Sequence, residues 1–285
     1  MVDVSSIAPD AMDKGEADGK QHVWRILGYG NPGTGKTHFG FSMPAPVFCI
    51  DTEGKAHSIT DKFDKDIYVF EVSNYDEARD ALSQALDALR KYQKEEGVIG
   101  TLMVDSMANM WDWSQQKYME MAYPGRDPHE VNFKSALQSG DSDWQTIKRL
   151  HNQQFREPML ASPFHLYWTS TSREDYGAIL QGSDDPPAKP TGEKNNVYKA
   201  TEVLHFYEGA DGKPHANLKK NARTKWRFGS LEYPTFRKVS EIIDNVVAAE
   251  KNPEDITLGE LKETFPQSVD LYDGDPDLIM QGSDE

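Results

Sequence analysis

The run Gly30-Asn31-Pro32-Gly33-Thr34-Gly35-Lys36-Thr37 constrains this chain more tightly than any other stretch. It satisfies G-x-x-x-x-G-K-[ST] at every fixed position, and its setting gives the match weight. Residues 23–29 read as an apolar strand leading in, and residues 38–42 carry a helix out. Glycines let the backbone turn tightly enough for successive N–H groups to face one phosphate, where the N-terminus of the following helix adds partial positive charge. In that arrangement Gly30, Asn31, Pro32, Gly33, Thr34, Gly35 and His38 line the turn. Lys36 reaches the β- and γ-phosphate oxygens, and the Thr37 hydroxyl holds Mg²⁺. A strand, loop and helix binding a nucleotide and Mg²⁺ are predicted.

Alternating segments follow. Residues 47–51 and 67–72 read as strands, and Ser73 or Asn74 then caps a helix whose Ala78, Ala81, Leu82, Ala85, Leu86 and Leu89 keep the helical period. Gly97 and Gly100 close that helix before a fourth strand at 101–105. Helical residues 106–122, a polar interruption at 123–142, a helix from Trp144 to about residue 160 and a fifth strand at 164–169 complete the pattern. It predicts a doubly wound, mainly parallel α/β sheet. Residues 172–197, containing GSDDPPAKPTGEKNN, lack any period and read as a mobile loop. Strands at 201–207 and 216–220, joined through Gly209-Ala210-Asp211-Gly212, predict a C-terminal β-hairpin, and Pro234 opens a last helix.

Two carboxylates stand where phosphate chemistry needs them. Asp105 ends a buried strand, a place from which an aspartate can bind Mg²⁺ through its water shell; the plainer alternative is a cap for the next helix. Glu53 follows the strand after the phosphate loop, in Asp51-Thr52-Glu53-Gly54, and can orient water towards a γ-phosphate; the plainer alternative is a solvated loop residue. The ordered set GNPGTGKT, FCIDTEG and TLMVDS resembles the RecA-like P-loop ATPase core, over about residues 23–245. That resemblance implies Glu53 as the water-activating base and Asp105 as the metal aspartate. The helix opened by Trp144 and the strand ending Thr-Ser-Thr-Ser-Arg-Glu are similar to short RecA-core proteins of bacterial and archaeal viruses. Those are AAA-type nucleotide-binding proteins associated with single-strand annealing and recombination. The sensor position of that family is often Gln or His; here Thr169, Ser170 and Thr171 occupy it, with Arg173 close behind.

Composition matters chiefly through its distribution. The 285 residues carry a net charge of −16, but residues 1–20 hold −3 of it and residues 250–285 hold −9, leaving about −4 for the 229 residues between. Three parts are therefore predicted: an acidic tail at 1–20, a core at 21–249 and an acidic extension at 250–285, both tails disordered. Within the core, residues 213–229 contain no acid yet hold Lys213, Lys219, Lys220, Arg223, Lys225 and Arg227, interleaved with Trp226 and Phe228. Cations beside aromatic rings suit single-stranded DNA, and the alternative is a solvated hairpin face with Trp226 buried. In RecA-like assemblies basic residues here also act across the subunit interface on a neighbour's γ-phosphate. Lys220 and Arg223 are the candidates, which implies a homo-oligomer with ATP sites between subunits. The extension mixes carboxylates with apolar residues at 270–280, a composition for competing with DNA or docking on a protein partner.

No apolar run approaches the ~20 residues of a membrane span, and the N-terminus lacks the apolar centre of a secretion signal. The single cysteine, Cys49, excludes an internal disulfide and lies in an apolar run, as a small buried hydrophobe would. A cytoplasmic location is expected, the host cytoplasm for a viral protein. The predicted function is a Mg²⁺-dependent ATPase that binds single-stranded DNA in viral recombination or replication. A helicase or translocation motor, and a nucleotide-binding regulator or virion component without DNA affinity, remain the alternatives.

Overall fold

The computed structural model describes residues 22–134, 142–174, 188–224, 226–251 and 271–273. The expected tail at 1–20, most of the extension from 250, the centre of the 172–197 segment and Lys225 lie outside the described residues. The first element is β1 (Arg25–Gly30), followed through the loop by α1 (Lys36–Ser42) and β2 (Val47–Asp51). A 3-10 segment (Ala56–Lys62) leads to β3 (Ile67–Glu71), α2 (Tyr75–Glu96), β4 (Thr101–Asp105) and α3 (Met107–Ala122). Next, α4 (Asp143–His151) runs through a π turn (Asn152–Arg156) into α5 (Glu157–Leu160) and β5 (His165–Ser170). Then come β6 (Ser172–Glu174), β7 (Ala188–Pro190), the single turn α6 (Asn196–Lys199), β8 (Glu202–Glu208) and β9 (Pro214–Asn221). Short β10 (Trp226–Phe228) and β11 (Leu231–Glu232), α7 (Phe236–Lys251) and β12 (Leu271–Asp273) complete the described elements.

Eight strands form one sheet in the order β11-β9-β8-β1-β5-β4-β2-β3. The six from β8 to β3 are parallel, and β9 and β11 add antiparallel at one side. Parallel strands are covered on both faces, which explains their unbroken apolar runs. Alternate residues of β1 serve opposite layers: Ile26 packs with Phe39, Phe41 and Val239 from α1 and α7, and Leu27 with Leu82, Leu86 and Met107 from α2 and α3. Cys49 is fully buried in the first of these layers, and burial pushes its thiol pKa up, so it serves as a small hydrophobe.

Local signals set the helix ends. The Asn74 side chain accepts the Glu77 N–H at 3.0 Å, while Glu77 accepts the Ser73 N–H at 2.8 Å, a reciprocal cap that chooses Asn74 over Ser73. At the other end Gly97 takes φ 68 and closes α2. The hairpin of β8 and β9 forms as expected, with its register shifted between Val203 and Leu204.

Two expectations need correction. Part of the 172–197 segment is structured: β6 pairs antiparallel with β7, and α6 follows. The hydroxyls of Ser170, Thr171 and Thr191 join its base, so hydrogen bonds supply what apolar periodicity does not. The acidic extension is likewise not wholly a solvated tail, because its residues 271–273 pair antiparallel with β10 and satisfy that strand's backbone groups. Among the described residues no helix is long and apolar enough to cross a membrane.

Candidate functional site

The phosphate loop joins the C-terminal end of β1 to α1. Gly35 stands at the N-cap with φ 95, a left-handed value that suits glycine. Gly30 is required for a second reason: a Cβ there would sit 2.0 Å from the Phe206 carbonyl oxygen of β8. The Thr34 hydroxyl donates to the Asn31 carbonyl at 2.8 Å, and the buried Tyr167 hydroxyl donates to the Lys36 carbonyl at 3.0 Å. The Lys36 ammonium donates to the carbonyls of Gly30 and Asn31, both at 2.8 Å, with the residue only 9% exposed. Burial lowers the pKa of Lys36, and the nearby charges of Asp105 and Glu53 pull it back up.

Asp105 reaches this loop across an intervening strand. β5 lies between β1 and β4, so the aspartate is two strands away from the loop it faces. Thr37 Oγ1 donates to Asp105 Oδ2 at 2.6 Å, and Thr169 Oγ1, at the end of β5, donates to Oδ1. The side chain is 6% exposed; desolvation pushes its pKa up, while the two hydroxyl donors hold it down. The helix cap after β4 is Ser106, whose Oγ accepts the Ala108 N–H at 3.2 Å, so Asp105 is not spent on capping.

Glu53 is positioned by a residue that sequence reasoning passed over. Asp51, 1% exposed, accepts the N–H groups of Glu53 and Gly54 at 2.9 Å and of Ala56 at 2.7 Å, folding residues 51–56 around its carboxylate. Thr52 ties the same turn to β4's end, its hydroxyl accepting the Ser106 N–H at 2.7 Å and the Asn109 side-chain N–H at 3.0 Å. An aspartate followed by Thr-Glu-Gly at a strand end is the signal that predicts such a turn. Glu53 itself lies 3.5 Å from the Lys55 ammonium, and its charge is felt by both Lys36 and Asp105.

The remaining candidates divide. Ser172 donates to the Asn31 side-chain oxygen at 2.6 Å, which fastens the base of the β6–β7 pair to the loop. Ser170 and Thr171 bond to Thr191, so among the hydroxyls at the end of β5 it is Thr169 that meets the buried carboxylate. His38 faces out from α1 with its ring 4.8 Å from that of Phe63. Lys220 and Arg223 do not join the others within this chain. Lys220 pairs with Val203 at the far end of β8, three residues, or roughly 10 Å, below the Phe206 that touches Gly30. Its ammonium donates to the carbonyls of Val197, Tyr198 and Ala200 at the end of α6. Arg223 pairs with Asp244 at 2.6 Å and lies over the Trp24 ring at 4.9 Å. Both cations serve the N-terminal rim of the sheet.

Comparison with known proteins agrees with this geometry. A family model described as AAA domain matches residues 22–176, more than half of the 285 residues, from the approach to β1 to just past β6. No curated protein gives a significant match. A parallel α/β sheet, a phosphate loop at its C-terminal edge and that match together lead to one statement: the chain belongs to the AAA-domain family and carries a domain of the P-loop NTPase type.

Proposed function

We propose that the protein is a Mg²⁺-dependent ATPase with a RecA-like core that binds single-stranded DNA in viral recombination or replication. One observation carries the catalytic part. Segments 30–37, 51–56, 105 and 169 converge at one sheet edge, where Thr37 and Thr169 hold the Asp105 carboxylate and Lys36 feels the charges of both Asp105 and Glu53.

The donor set suits the ligands. Thr37 and Asp105 offer adjacent oxygens of the hard type that Mg²⁺ prefers, and among the described residues no cluster of three or more His, Cys, Asp or Glu offers a closed cage. Thr37 and Asp105 would hold Mg²⁺ here, where the ion would supply positive charge to offset that of the phosphates. Lys36 leaves its two carbonyls for the β- and γ-phosphate oxygens and stabilises charge there. Glu53 accepts a proton from the attacking water as its oxygen bonds to the γ-phosphorus. The bond from that phosphorus to the β–γ bridging oxygen breaks, giving ADP and inorganic phosphate.

The basic strip supports the DNA part, because residues 213–229 hold six cations and no acid. Lys220 and Arg223 lie on the rim away from their own loop, so a phosphate met by either belongs to another molecule, either DNA or a neighbouring subunit's nucleotide. ATP turnover with and without single-stranded DNA, across a salt series, tests the whole reading. Stimulation that fades with salt is expected, and Lys36→Ala should abolish turnover. Unchanged hydrolysis by Lys36→Ala refutes the catalytic assignment; turnover indifferent to DNA at low salt refutes the DNA assignment.

A further inference from the structure

We infer that the base of the bound nucleotide stacks on Tyr233, an inference that rests on the proposed triphosphate site. The direction comes from the sheet. Asp105 and Glu53 flank the loop on the side of β4 and β2, so the terminal phosphate belongs there and the nucleoside leaves on the other side, over β8, β9 and β11. On that side Pro214 borders the helix end of the loop: its Cβ lies 3.5 Å from where a side chain on Gly35 would begin. Pro214, at the start of β9, in turn accepts the Tyr233 N–H at 2.8 Å, which places Tyr233 one residue beyond β11, the edge strand paired with β9.

Tyr233 is an odd residue to find there. It is 52% exposed, more than any other aromatic residue among the exposed large side chains of the described chain. Its φ is +47, the single positive value at a non-glycine residue among those described, and glycine would accept that backbone with less strain. The backbone is held there from two sides. Lys238 donates to the carbonyls of Glu232 and Tyr233 at 3.0 and 3.1 Å, and Lys213 pairs with Glu232. The Lys213 ammonium also lies 5.8 Å from the centre of the Tyr233 ring, where a cation polarises the π face. A large ring is thus kept in water, on a backbone better suited to glycine, beside a phosphate loop. Stacking of a nucleobase covers the ring surface that Lys213 leaves in water, and every base offers a π face.

The test is a calorimetric titration of the full chain with ATP and, separately, with inorganic tripolyphosphate, which has the phosphates but no base. Tyr233→Ala should weaken ATP about tenfold and leave tripolyphosphate unchanged. Tyr233→Trp should bind ATP at least as well as the unmodified chain. Tyr233→Gly separates ring from fold: it should melt no lower than the unmodified protein yet lose ATP affinity as the alanine variant does. Equal ATP affinity in Tyr233→Ala and the unmodified chain overturns the inference while leaving the loop intact, as does an equal loss for ATP and tripolyphosphate. If the unmodified chain binds neither compound, the phosphate site itself is wrong and this inference falls with it.

Discussion

Replacing Glu202 by Gln should make the protein more stable, and increasingly so as the pH rises from 5 to 8. Glu202 is fully buried at the start of β8. The Thr201 hydroxyl and the Arg25 backbone N–H reach its carboxyl, but Oε1 has no partner among the described residues. Burial raises its pKa from 4.5 to about 7, against the pull of those hydrogen bonds and of the charges on Arg223 and Lys220. The folded protein therefore holds a proton that the unfolded chain gives up between these values. The stabilising effect is whole below pH 4.5 and is lost as the pH climbs through 7. A shift of that size corresponds to about 3 kcal/mol above pH 8 and to less than about 1 kcal/mol at pH 5. Glutamine cannot ionise, so over that range the gap should change by about 2.5 kcal/mol and the difference in melting temperature between variant and parent should widen by roughly 5–10 °C. Paired thermal melts at pH 5, 6, 7 and 8 measure it directly. The buried His165, held down to about 4, titrates in both proteins and cancels. A gap that stays constant with pH, or narrows as pH rises, would refute the reasoning.

Two further outcomes bear on the site. Asp51→Ala removes the acceptor of three backbone N–H groups, so kcat should fall at least about tenfold while KM for ATP stays within about twofold; steady-state kinetics with unchanged kcat would show that the turn does not position Glu53. Thr169→Val keeps the volume of the side chain but withdraws one donor from Asp105, letting burial push that carboxyl's pKa further up. The acid limb of the pH–rate profile should then move to higher pH, and an unmoved limb would count against the contact.

Much of this was legible from sequence, and the exceptions share a cause. The parallel strands announce themselves because burial on both faces demands apolar runs, and Lys36, Thr37 and Asp105 are named by their places at strand and helix ends. The contact of Thr169 with Asp105 spans 64 residues and depends on β5 lying between β1 and β4. Alternation of strands and helices predicts a parallel sheet but not the order of its strands. The pair β6 and β7 stayed hidden because backbone and hydroxyl hydrogen bonds hold it, not apolar periodicity. In the sequence Lys220 and Arg223 stand in a basic strip with no acid beside them. Their partners, a helix end at 197–200 and Asp244, are distant in sequence and leave no local trace.

A π turn interrupts the helix after α4 at residues 152–156. A wide turn holds one residue more than an α turn, so everything after it is rephased by roughly 100° about the helix axis. Arg156, the last residue of that turn, pairs with Glu193 at 2.6 Å, and Glu193 also accepts the Asn195 N–H at 2.9 Å. The pair moors the return leg from β7 to β8, the same leg whose Thr191 grips the end of β5. The last residue of one wide turn thereby anchors a segment that touches the phosphate loop through Ser172 and Asn31, and the length of that helix is not free to drift.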